Sequence, residues 1–146
     1  SVKTFSVLYL KQKYQINYSS MKKKMRIAGC LLMVLGVILG AMGSHYLKEK
    51  LPPSAMESFD IGIQYLIYHA LALLLLSRMR FGTQKRKKTV FYMILLGILL
   101  FSGSIVILSF KSLIPFNIRW IGPLTPVGGG LLIAAWVATA FSFAKK

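Results

Sequence analysis

The sequence predicts an all-α protein, a four-helix transmembrane bundle with both termini on the cytoplasmic side (N-in/C-in). Three observations predict it. The chain is 55% hydrophobic and holds only three acidic residues among 146, too little charge to cover a water-exposed surface. Four uncharged runs reach spanning length, and the 19 Lys and Arg are concentrated in alternate connections between them.

The runs are residues 27–47 (21 residues), 61–77 (17), 89–110 (22) and 120–144 (25), within a single membrane domain covering 21–146. A hydrocarbon core of about 30 Å takes about 20 helical residues at ~1.5 Å each. The second run covers only about 25 Å by the same rise, so its ends need help. Arg78 and Arg80 can snorkel inward there, and Asp60 belongs near the interface.

Lys and Arg number 7 before the first span, then 2, 6 and 2 in the three connections and 2 in the tail. The N-terminus, residues 78–88 and Lys145-Lys146 are therefore expected on the cytoplasmic side. Glu49, Glu57 and Asp60 all fall in the first outer connection. Residues 1–20 read as an upstream extension or disordered tail, because Met21-Lys22-Lys23-Lys24 resembles a natural start and the apolar piece at 5–10 is too short to span. A rival reading makes 21–43 a cleaved signal peptide ending at Ala41-Met42-Gly43. Against it, the uncharged run exceeds the ~7–15 residues of a signal core. Cys30 is the only cysteine, so an internal disulfide is impossible, and it is expected to pack as a small apolar residue.

In lipid, helices associate closely where small residues let backbones approach. Gly36, Gly40 and Ser44 form such a stripe in the first span, Gly97 and Ser104 share a face of the third, and Gly130, Ala134 and Ala138 line the fourth. Gly122-Pro123-Leu124-Thr125-Pro126, followed by three glycines, predicts an irregular opening of the fourth helix.

An ionisable side chain deep in a span is costly, so His69 is expected to face protein. Tyr65, with Gly62 and Ala72, shares its arc, and Tyr68 and Gln64 flank it. Ser102 and Ser104 stand at similar or slightly more outward depth in the third span and could accept from or donate to the imidazole. At the outer end His45, Glu57, Asp60 and Thr125 form a candidate polar cluster. No short metal-ligand spacing joins them, so no metal or other cofactor is expected. No nucleophile elbow, phosphate loop or dinucleotide fingerprint occurs, which leaves no catalytic residue to name.

Four segments together resemble a known family: Gly40-Ala41-Met42-Gly43-Ser44-His45-Tyr46-Leu47-Lys48, Tyr65-Leu66-Ile67-Tyr68-His69-Ala70-Leu71-Ala72-Leu73, Gly97-Ile98-Leu99-Leu100-Phe101-Ser102-Gly103-Ser104, and Gly122-Pro123-Leu124-Thr125-Pro126-Val127-Gly128-Gly129. Their order and spacing are similar to the small membrane family termed domain of unknown function 423, whose eukaryotic relatives are called transmembrane protein 256. The resemblance covers most of 21–143 and implies a four-helix membrane protein, with bacterial members in the inner membrane. It implies no activity or cofactor, but places His45, His69, Ser102, Ser104, Thr125 and Pro126 inside family motifs. Met42 and Ser44 depart from the family's common Gly-Ala-Phe-Gly-Ala-His, and 1–20 has no counterpart.

The expected function is that of a non-enzymatic scaffold or small subunit acting through helix contacts. A small transporter or channel component with His69 in a polar path is the alternative, and a membrane enzyme using His45 or His69 is third. The expected partners are the lipid bilayer and another membrane protein or a second copy. Nucleic acid is not among them, because the basic residues flank apolar runs instead of gathering on one folded face.

Overall fold

The computed structural model describes residues 2–144, with side-chain surroundings given for all but 2–5, 11 and 14–19. Lys145-Lys146, expected at the cytoplasmic side, lies outside the described residues. The fold is helical throughout: α1 (Val2–Met42), a π-helical turn (Gly43–Leu47), α2 (Pro53–Arg78), α3 (Gln84–Ser109), 3-10 turns at Phe110–Ser112 and Arg119–Ile121, and α4 (Leu124–Ala144). Among the described residues, four helices are long and apolar enough to cross a membrane.

The main differences from the expected boundaries occur where charge had been taken as the limit of a helix. The second helix begins at Pro53, not 61, with Pro52 as N-cap, and so carries Glu57 and Asp60 in its early turns. Its 26 residues rise about 39 Å, so the short span foreseen for 61–77 does not arise. The third begins at Gln84, where the Thr83 hydroxyl accepts from the Arg86 N–H at 3.3 Å. At the other end of the chain, residues 2–20 continue α1 instead of forming an irregular tail; no Gly or Pro occurs there to interrupt a helix.

The fourth helix is also more regular than expected. Helix starts at Leu124 and runs through Gly128-Gly129-Gly130, so the break is confined to the turn at Gly122-Pro123. Gly128 meets α3 directly: a Cβ there would overlap the Phe101 nitrogen and lie 2.7 Å from the Leu100 carbonyl carbon. The glycine therefore serves close backbone approach, not irregularity.

Neighbouring helices are antiparallel. Gly29 meets Leu74 and Gly36 meets Ile67 across α1 and α2; Gly97 meets Leu132, and Ser104 meets Thr125, across α3 and α4. This up-and-down path brings the start of the first span and the end of the fourth to the same end of the bundle, beside the basic 78–88 connection. Half of α2's most apolar stretch is buried but only 17% of α1's, so α2 is central and α1 peripheral. Met25, Leu73, Val90, Ile94 and Ala135 anchor one core, and Leu47, Leu51, Phe59 and Ile63 a smaller one at the end opposite the 78–88 connection.

Leu31, Leu99 and Ile133 project outward, more than 60% exposed, from the middle of their spans, and Leu75 does so near the end of α2. Such a belt is stable against hydrocarbon and not against water. Cys30 lies on it, exposed, instead of packing inside as expected. Trp120 and Phe116 are exposed at the end opposite the 78–88 connection, where aromatic rings suit a membrane interface.

Candidate functional site

His69 is buried at the middle of α2, and both ring nitrogens have partners. The Trp136 indole N–H of α4 donates to Nε2 at 3.1 Å, and an indole nitrogen can only donate. Nε2 is therefore the unprotonated acceptor, and Nδ1–H donates to the Tyr65 carbonyl at 2.8 Å. The pair of contacts specifies a neutral imidazole protonated at Nδ1. Protonating Nε2 would set two donors against each other.

Aromatic rings surround this imidazole. Tyr65 stacks beside it, with centroids 6.2 Å apart and planes 21° apart, and also meets Phe101 of α3 at 4.8 Å. The Trp136 ring lies 6.1 Å from the imidazole, and Tyr68 lies 6.3 Å from Tyr65. One cluster thus joins α2, α3 and α4 around a satisfied histidine. Trp136 is partly exposed, so the cluster borders the lipid-facing surface.

Neither of the two serines proposed as imidazole partners hydrogen-bonds to the ring. Ser104 Oγ lies 2.6 Å from Thr125 Oγ1 and donates back to the carbonyls of its own helix at Phe101, 3.0 Å away, and Leu100. Ser102 Oγ is buried without a hydrogen-bond partner among the described residues. Depth explains the miss. His69 is nine residues from the basic end at Arg78, whereas Ser102 is fourteen from Lys88. Five residues correspond to about 7.5 Å of rise.

Trp136 and Phe101 were missed for the same reason, although depth would have found them. Trp136 is nine residues before Lys145, level with His69; Phe101 is thirteen from Lys88, as Tyr65 is from Arg78. An indole N–H at that depth needs an acceptor.

The outer polar cluster does not assemble as proposed. Thr125 is committed to Ser104, and His45 is exposed on the π-helical turn. Glu57 and Asp60 instead line an open groove with Lys48 and Gln64. Among the described residues, no three His, Cys, Asp or Glu side chains gather so as to hold a metal ion.

A bundle of four apolar helices with an outward hydrocarbon-facing belt defines a multi-pass integral membrane protein. More narrowly, the chain belongs to the family described as "Protein of unknown function (DUF423)", whose profile matches residues 39–129. It is 33% identical over 121 residues to UPF0382 membrane protein YwdK of Bacillus subtilis, covering 82% of this chain and 94% of the relative. Similarity to UPF0382 membrane protein SH2409 of Staphylococcus haemolyticus is 33% over 119 residues, 82% of this chain and 93% of the relative. A fission-yeast relative, UPF0382 membrane protein C1782.12c of Schizosaccharomyces pombe, is 32% identical over 104 residues, 70% of this chain and 86% of its own. No solved structure matches.

Proposed function

We propose that the chain is a non-enzymatic membrane scaffold or small subunit that acts through helix contacts, with the His69 cluster holding α2, α3 and α4 in register. The observation that carries this reading is the use of both imidazole nitrogens inside the bundle, by Tyr65 and Trp136. A proton relay needs a nitrogen able to exchange its proton with a neighbour or with water, and here each is committed to a helix contact. The hydroxyl of Ser44, beside exposed His45 in the chain, donates to the Gly40 carbonyl at 3.1 Å, which weighs against the enzyme reading.

In this reading the basic 78–88 end faces the cytoplasm of a bacterial inner membrane, following the bias of Lys and Arg. The partners are the bilayer and another membrane protein or a second copy.

The test is a double-mutant cycle of His69→Ala and Trp136→Phe, read by unfolding in detergent. Each substitution is expected to lower stability, with a coupling of about 0.6–1.7 kcal/mol, the range of interhelical hydrogen bonds in membranes. The reading is overturned if His69→Ala accumulates and unfolds as the parent does, yet abolishes a pH-driven flux that the parent carries in liposomes.

A further inference from the structure

Charge is unbalanced at one end of the bundle. The three acidic side chains, Glu49, Glu57 and Asp60, belong to the opposite end, while Arg78, Arg80, Lys85, Arg86, Lys87 and Lys88 share the basic one. Some of these cations are committed within the fold. Lys87 Nζ donates to the Met79 carbonyl at 2.7 Å beneath the Phe81 ring, and Arg86 reaches Ser142 Oγ at 3.5 Å.

Lys85 and Lys88 are placed differently. Both are exposed on the first turns of α3, where the helix dipole is itself positive, so a third positive contribution is added instead of a compensating one. An anion at this position would be favoured by all three. The two lysines also line an open groove of about 470 Å³ whose remaining wall is Thr89 beside them and then the mainly apolar Tyr92, Met93 and Leu96 of α3 and Leu131 of α4.

The order of these residues along the helix is the order of groups in a phospholipid. Cations come first, at the membrane boundary, then a phenol, then hydrocarbon. From Lys85 to Leu96 the helix rises about 16 Å, close to the depth of one leaflet, half of a core of about 30 Å. A free anion would use only the lysines and leave the apolar wall without a role. A zwitterionic headgroup would bring its own cation to a site that already has two.

We propose that this groove binds an anionic phospholipid, its phosphate held between Lys85 and Lys88 and an acyl chain laid along Tyr92, Met93, Leu96 and Leu131. The site is independent of the His69 cluster and stands or falls separately from the scaffold reading.

The test is native mass spectrometry of the full chain in neutral detergent, titrated with phosphatidylglycerol, phosphatidylcholine or inorganic phosphate. Phosphatidylglycerol is expected to be retained and phosphatidylcholine lost. K85Q/K88Q should weaken phosphatidylglycerol retention about 30-fold, as expected for two lysines at a lipid surface. K23Q/K24Q removes the same charge from two exposed lysines of α1 and should leave retention unchanged. Leu131→Trp, which fills the groove with both lysines intact, should weaken it too. Equal retention of the two lipids, or equal loss in K23Q/K24Q, would reduce the effect to diffuse surface charge and overturn the proposal. Displacement of the lipid by inorganic phosphate at matching concentration would overturn it in favour of a free-anion site.

Discussion

The α3–α4 contact at Gly128 is built on backbone and the α1–α2 contact at Gly36 on side chains, although α1 also approaches main chain at Gly29, where an added Cβ would lie 2.9 Å from the Ala70 carbonyl oxygen. At Gly128 an added Cβ would run into the main chain of α3 at Leu100 and Phe101; at Gly36 it would meet Ile67 Cγ1 at 2.7 Å and Leu66 Cδ2 at 3.1 Å. Main chain inside a helix cannot give way without losing hydrogen bonds, whereas a leucine or isoleucine tip can change rotamer. The first pair is further tied by Ser104 to Thr125. The contacts at Gly128 and Gly36 therefore differ in how readily the neighbour yields, and the Gly128 contact lies next to the His69 cluster through Phe101.

The largest expected effect tests that difference directly. Gly128→Ala should destabilise by about 3 kcal/mol, the upper end for overpacking, because α3 must move away as a unit. Gly36→Ala should cost about 1 kcal/mol or less, the tip rearrangement being offset by better helix propensity. Unfolding in mixed micelles compares the two. Equal losses would mean that α1 is held as rigidly as α4, and the contrast would fail.

Ser104 and Thr125 sharpen the comparison at the next level of magnitude. A cycle of Ser104→Ala and Thr125→Val should return a coupling of about 0.6 kcal/mol, typical of interhelical hydrogen bonds in lipid. The value is small because the Ser104 hydroxyl has other acceptors, the Phe101 and Leu100 carbonyls of its own helix. A coupling near zero would leave the tightness of α3–α4 to Gly128 alone.

The number of spans was legible because an ion in hydrocarbon is so costly that charge-free runs mark helices without reference to packing. The ends were not, since a helix continues past the interface at no such cost; Glu57 and Asp60 sit inside α2 for that reason. That His69 faces protein was legible from the same cost. Its partners were not, because composition pointed to serines, whereas the level of each residue in the bilayer selects Trp136 and Phe101. The close-packing face of α4 was misjudged for a geometric reason. Three successive glycines point about 100° apart around a helix, and only the neighbour's position decides which is used. Gly128 is, with Leu132, Ala135, Thr139 and Ser142 on the same buried face; of the expected stripe, Gly130 and Ala134 turn away from it while Ala138 is partly buried against the core.

That outward stripe gives the smallest predicted effect. Nothing lies within 4 Å of a Cβ built on Gly130, and the residue is exposed in regular helix. Gly130→Ala should therefore be neutral or stabilise by up to about 1 kcal/mol, since alanine gives up less backbone freedom and meets no neighbour. Measured beside Gly128→Ala, it separates two glycines two residues apart by whether they touch α3. A loss of stability that grows with protein concentration in the micelle would change the comparison itself: another helix would then cover Gly130 and Ala134, and α4 would have two close-packed faces, one toward α3 and one toward a second copy of the chain.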